Sequence, residues 1–208
     1  MKTIVWYFDF ISPFAYLQFA HHEKLRQLAK IEYRPVLFAG LLGHWGQKGP
    51  AEIPGKRLFT YQHTLWMARK AGIPMRYPPG HPFNPLRALR LCLLLKNRPE
   101  AVGAIFNFIW KEGQNLADDP AFQSLCSQLE VRDPEAINQQ EIKDALKQST
   151  AAAAAAGVFG VPTFMVDGHL IWGLDATDMV SDALADPDLF NDPEMARIKS
   201  LPVSASRS

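Results

Sequence analysis

Cysteine is almost missing from this chain. Its 208 residues hold two, Cys92 and Cys126, far apart and each in an apolar, helix-like setting. That argues against a disulfide framework and reads both thiols as inert core groups. Charge of one sign is not in surplus either: 22 Lys and Arg stand against 21 Asp and Glu, interspersed, for a net charge of +1. Such a balance points away from a nucleic-acid or membrane partner. The opening residues, one lysine and then a strand-like stretch broken by Asp9 and Pro13, make neither a secretory signal nor a membrane span. The expected compartment is therefore the cytoplasm. There is no Walker loop and no GxGxxG. The histidines (His21, His22, His44, His63, His81 and His169) lack ligand spacing, so no metal is expected and each reads as a surface or loop residue. Of these, His44 and His81 fall in long loops that could border a substrate.

What is present is an ordinary globular composition, 48% hydrophobic and 21% charged, in a length that fits one domain with an insert or two small ones. The chain is organised around Met1–Tyr16. Residues 3–10 (TIVWYFDF) are β-branched and aromatic, which suits a buried strand. Ser12 and Pro13 follow, a good N-cap and a good first helical residue. From Pro13 to Lys30 apolar residues recur at helical spacing. A helix start favours an anion and stabilises a thiolate, but the protein supplies only a hydroxyl there, so any thiolate must come with a ligand. The plain alternative is that Ser12 only caps its helix.

Residues 32–38 alternate as a second strand, with Pro35 arguing for an edge or bulge, and complete a βαβ unit. Residues 39–54 read as a long Gly- and Pro-rich loop. Helices are expected over 57–71, closed by Gly72, then over 86–95, 101–110 and 120–129, with a Pro-rich loop at 73–85. Residues 139–156, ending in six alanines, read as helix. Residues 161–167 and 169–172, joined through Asp167-Gly168, form a hairpin. A last helix begins near Leu174 with Asp175 or Thr177 as cap, and Ser204–Ser208 is expected to fray. A parallel pair, then an antiparallel hairpin, with helices on both faces, is an α/β thioredoxin-like fold with a large α-helical insertion. Residues 1–38 and 139–186 would form the discontinuous thioredoxin-like domain, residues 39–138 the inserted helical domain, and residues 187–208 a C-terminal tail.

The stretches FDFISPFAY (8–16), KGPAEIPGKR (48–57), Trp110, VFGVPTF (158–164) and WGLD (172–175) resemble the 2-hydroxychromene-2-carboxylate isomerase family. These are relatives of kappa-class glutathione transferases in the DsbA-like branch of thioredoxin folds. The resemblance covers roughly residues 2–184. It implies glutathione as cofactor, with Ser12 donating a hydrogen bond to its sulfur. Pro162 would be cis, presenting the Val161 backbone to the tripeptide as an added strand would. Lys56 would meet the glycine-end carboxylate, and Leu174 and Asp175 the γ-glutamyl end. Asn84, Trp110 and Phe14 would face a small aromatic substrate, although Trp45, Trp66 and Trp110 also read as core fillers. Family members pair, so a homodimer is expected.

Two departures, Gln47 where the relatives have asparagine and Ala176 where they often have arginine, touch these contacts. The implied activity is glutathione-dependent isomerisation of a hydroxychromene carboxylate to trans-o-hydroxybenzylidenepyruvate by reversible thiolate addition. A kappa-like transferase or peroxidase and a non-catalytic thioredoxin-like binding protein are the alternatives. A disulfide oxidoreductase is ruled against because Ser12-Pro13-Phe14-Ala15 cannot form a disulfide.

Overall fold

The computed structural model describes residues 1–204. Its sheet has four strands in the order β2-β1-β3-β4. These are β1 (Lys2–Phe8), β2 (Ala29–Pro35), β3 (Thr163–Val166) and β4 (His169–Trp172). Strand β1 runs parallel to β2, with Trp6 opposite Tyr33, and antiparallel to β3, with Trp6 opposite Phe164. The β3–β4 turn places Asp167 at φ 46° and Gly168 at φ 85°, the two positive φ values that a type I′ hairpin needs. This order, a parallel pair joined to an antiparallel hairpin, is the thioredoxin-like arrangement expected from the sequence.

The two-residue period of β1 divides its side chains between two cores. Ile4, Trp6 and Phe8 enter the larger, where Trp6 stacks on Phe8 at 4.4 Å. Tyr7 enters the smaller, against Val36, Leu41, Ala153, Ala154 and Val158. Of the alanine run, Ala153 and Ala154 form the inner face of a helix, and their small side chains allow close approach to the sheet, while the other four are exposed. Phe106, Leu89 and Trp110 of the helical stretch pack into the larger core, so that stretch and the sheet share it.

Helix positions follow the expectations with four corrections. The first helix is two, α1 (Pro13–Phe19) and α2 (His22–Leu28), and β2 begins at Ala29, earlier than the pattern suggested. The break at Ala20-His21 turns His22 into the core, edge-on to Trp6 at 4.3 Å and bonded to the Tyr33 hydroxyl at 3.1 Å. His22 is therefore a buried residue, and burial lowers its pKa to about 3. Second, residues 39–54 are not one loop. They hold α3 (Phe38–Trp45), closed by Gly46 at φ 62°, and a 3₁₀ turn at Pro50–Glu52. Gly40 reads as a breaker, yet here it permits packing: a Cβ would meet Thr150 Cγ2 at 3.0 Å.

After α4 (Pro54–Ala71), which Gly72 ends at φ 67°, come α5 (Leu86–Leu94) and α6 (Pro99–Phe106). A π-helical turn (Asn107–Lys111), α7 (Asp119–Gln128) and α8 (Gln140–Ala155) follow. Third, neither Asp175 nor Thr177 caps α9 (Thr177–Ala185). Ala176 holds the cap position without a side-chain bond, and Thr177 Oγ1 donates to the Leu174 carbonyl instead. Fourth, the tail contains α10 (Pro193–Ile198), capped by Asp192, and Phe190 stacks on His169 at 4.0 Å. Apart from Ser204, the segment expected to fray lies outside the described residues.

Candidate active site

Strand β1 delivers the turn Asp9-Phe10-Ile11-Ser12, and side chains hold its backbone from several directions. The Ser12 N–H donates to the Asp9 carbonyl at 3.1 Å. The Phe10 carbonyl accepts from Trp110 Nε1 at 2.8 Å. The Ile11 N–H donates to Asp9 Oδ1 at 3.1 Å, and the Ile11 carbonyl accepts from His81 Nε2 at 2.9 Å. Asp9 Oδ2 accepts from the Phe38 N–H at 2.8 Å, which ties the turn to the start of α3. Asp9 is fully buried. Burial pushes its carboxyl up to about 7, against the pull of N–H groups from Phe38, Ile11 and Phe10.

Ser12 sits at the N-cap of α1 with extended backbone, and its Oγ accepts from the Ala15 N–H at 3.2 Å. The capping role is real, yet it uses only a lone pair. The hydroxyl proton has no acceptor among the described residues and remains to be donated outward. The Phe14 N–H likewise has no partner there.

Tyr7 pairs with Thr163 in the β1–β3 register, so the Ser12 turn and the segment before β3 emerge at the same end of the sheet. The Val161–Pro162 bond in that segment is cis, as expected. Pro162 O accepts from the Gly173 N–H at 2.9 Å, while the Val161 N–H and carbonyl have no partner among the described residues. Gln18, fully buried on α1, links the two sides. Its amide donates to the Gly173 carbonyl at 2.9 Å and Thr177 Oγ1 at 3.0 Å, and accepts from Trp6 Nε1 at 2.7 Å. Gln18 thereby fixes the turn carrying Leu174 and Asp175. Leu174 is half-buried, and exposed Asp175 lies over Gly173, where a Cβ would stand 2.5 Å from its Oδ1.

The remaining sequence candidates separate. Lys56 is exposed on the first turn of α4, in no ion pair among the described residues. Phe14 is half-buried, its ring edge-on to His63 at 6.3 Å. His63 in turn stacks between Phe59 and Trp66, which are exposed, forming an aromatic row along α4. Asn84 is exposed, and its Oδ1 accepts from the Leu86 N–H at 3.0 Å, opening α5.

Trp110 is corrected: fully buried, it faces no substrate and supports the Phe10 carbonyl instead. Trp45 and Trp66, read as core residues, are exposed at 43% and 56%. Burial raises the thiol of Cys126 to about 11 and that of Cys92 higher still, so neither offers a thiolate. A cleft of about 1170 Å³ along the free edge of β2 includes none of these residues.

The sequence matches the profile of the DSBA-like thioredoxin domain over residues 3–185. The chain belongs to that family. Among DsbA-like relatives, the 2-hydroxychromene-2-carboxylate isomerase of Sphingobium xenophagum is 30% identical, covering 89% of this chain and 99% of its own. Glutathione S-transferase kappa 2 of Caenorhabditis elegans is 27% identical over 89% and 93%. A solved 2-hydroxychromene-2-carboxylate isomerase structure superposes with a TM-score of 0.80 at 23% identity, covering 93% of this chain and 99% of that one. This DsbA-like chain thus stands among isomerases and kappa-class glutathione transferases.

Sequence reasoning missed Asp9 and Gln18 and placed His81 only in a loop. A charged residue inside a strand-like run, at Asp9, was the one available signal.

Proposed function

We propose that this chain is a glutathione-dependent isomerase of 2-hydroxychromene-2-carboxylate-type aromatic acids. The observation that carries the reading is the Ser12 hydroxyl, whose proton is unspent, at the same end of the sheet as the unpartnered Val161 backbone. Those groups fit a thiol-bearing tripeptide. Ser12 O–H and the Phe14 N–H would hold its sulfur, and the Val161 N–H and carbonyl would pair with its cysteinyl unit. Asp175 would accept from its ammonium, and Lys56 would meet its far carboxylate. When bound, glutathione supplies a thiolate able to add reversibly to a conjugated carbon, permitting rotation about the former double bond.

The protein's task is to favour the ionised sulfur. Hydrogen bonds and the helix start that lower its pKa by about one to two units raise the thiolate fraction roughly tenfold or more near neutral pH. Phe14 and the aromatic row behind it on α4 give a small aromatic acid an apolar wall.

Thermal unfolding of wild type and Ser12→Ala, with and without millimolar glutathione, tests this beside an ultraviolet scan for bound thiolate. The expected result is an upward shift of several degrees in the wild type and a thiolate band that weakens in Ser12→Ala. Absence of shift and band in both proteins would remove glutathione from the account and leave Ser12 as a helix cap. The similarity to a kappa-class transferase favours a second reading, transfer of the sulfur to an electrophile. Turnover of a hydroxychromene carboxylate against a chlorinated aromatic separates the two.

A further inference from the structure

We propose that His81 is a positioning residue for the Ser12 site, and that its imidazole takes up a second proton when a thiolate is held there. The inference rests on the glutathione reading above. It begins with three hydrogen bonds and the protons available to make them. The Ile11 carbonyl can only accept, so His81 Nε2, 2.9 Å away, carries a proton. The His81 carbonyl can only accept, so the Tyr61 hydroxyl, at 2.6 Å, points its one proton there. The Tyr61 oxygen then presents lone pairs to His81 Nδ1 at 2.8 Å, and only an Nδ1–H completes that contact. All three bonds are made together only when the ring holds both protons. In the neutral ring, Tyr61 must choose between the carbonyl and Nδ1.

In the free protein the surroundings favour the neutral ring, holding the His81 pKa below the usual imidazole value. Burial disfavours the charge, and the Ile11 carbonyl favours it. The rings of Tyr61 on α4, Tyr77 and Phe83 in the same loop, and Trp110 in the π-helical turn surround the imidazole, with centroids 5.2–6.0 Å from its own. Aromatic neighbours of this kind tolerate a cation. Tyr61 and Tyr77 are the titratable groups facing the ring. Trp110 and the β1–α1 turn present none to it directly. Asp9 binds the N–H of the same Ile11 whose carbonyl His81 holds, so the two side chains clamp one residue from opposite ends.

That clamped residue precedes Ser12, and its carbonyl belongs to the peptide bond entering Ser12. A negative sulfur at Ser12 is therefore held one peptide unit from the carbonyl that this ring binds, and the ring's hydrogen bonds are arranged for its charged form. The proton balance closes: the S–H bond releases its proton, His81 takes one up at Nδ1, and the net charge of the complex is unchanged. A fixed hydrogen bond alone would position Ser12. A ring that gains charge with the thiolate also stabilises it.

The test uses the full chain and two ligands, glutathione and S-methylglutathione, which cannot ionise at sulfur. Imidazole NMR of the wild type should show the His81 pKa about one unit or more higher with glutathione than with the methylated form. His81→Gln keeps a donor for the Ile11 carbonyl but cannot ionise. It should bind S-methylglutathione like the wild type, while its bound-thiol titration at 240 nm moves up by about one unit, a roughly tenfold smaller thiolate fraction at pH values below that pKa. An unchanged His81 pKa between the ligands, or a wild-type thiolate titration in His81→Gln, overturns the proposal while leaving the glutathione reading in place. Failure of the wild type to bind either ligand overturns both. His81→Phe is the harsher variant, and the wild-type NMR comparison decides the matter even where that variant does not fold.

Discussion

Asp9 follows β1 with both carboxylate oxygens committed, one to the Ile11 N–H and one to the Phe38 N–H, and with no solvent contact. Its pKa in the folded chain, about 7, lies above the ordinary 3.8. Between those values the folded state binds more protons than the unfolded one, so stability from this group is full below about pH 4 and lost as pH rises through 7. The shift corresponds to a loss on the order of 4 kcal/mol across that window. Asp9→Asn cannot titrate. The stability difference between wild type and Asp9→Asn, from urea unfolding at pH 4.5 to 8, should therefore move against the wild type as pH rises. Parallel curves would show that Asp9 stays ionised throughout.

Trp110 supplies a second test at this scale. Trp110→Phe keeps an aromatic ring but leaves the buried Phe10 carbonyl without its donor, at a cost of about 1–3 kcal/mol in urea unfolding. No measurable loss would mean that water or another donor replaces the indole.

At the scale of the element, the turn joining β4 to α9 depends on Gly173. Its φ is 100°, and a Cβ would stand 2.5 Å from Asp175 Oδ1. Gly173→Ala should cost about 1–2 kcal/mol in backbone strain and displace Asp175, so glutathione binding weakens too. Gly168→Ala is the control. Its φ is 85° and nothing stands within 4 Å of the added Cβ, so it should lose stability without losing affinity. Equal affinity loss in both would separate Asp175 from ligand binding.

Elements with a strong local signal were legible in the sequence: the aromatic strand before Ser12, the hairpin around Asp167-Gly168, and the helix closed by Gly72. The helix over Phe38–Trp45 was not, because Gly40 and Gly43 look like loop residues until Thr150 is seen across from Gly40. The break after Phe19 was hidden for a similar reason: burying His22 outweighs an unbroken helical pattern. The site divides in the same way. Ser12 and Pro162 announce themselves by turn chemistry, whereas Asp9, Gln18 and His81 act through partners 2 to 159 residues distant, which spacing alone cannot reveal.

For the whole molecule, the question is whether the helical stretch unfolds with the sheet. Phe106 of α6 stands 4.6 Å from Phe10, 5.8 Å from Phe8 and 6.1 Å from Trp6, all centroid to centroid, so one aromatic cluster spans both parts. Neither part can open without exposing rings buried by the other, which predicts a single cooperative transition. Far-UV circular dichroism, which follows mainly the helices, and tryptophan fluorescence, which includes buried Trp6 and Trp110, should then give superimposable urea curves. Phe106→Ala, which empties the centre of the cluster, should cost about 3–5 kcal/mol and lower both midpoints together. If the helical signal instead persists after the fluorescence transition, or if Phe106→Ala moves one curve and not the other, the helical stretch holds a core of its own. The Trp110 support for the Phe10 carbonyl in the Ser12 turn would then come from a separately folding unit, and the site could be lost while the sheet remained intact.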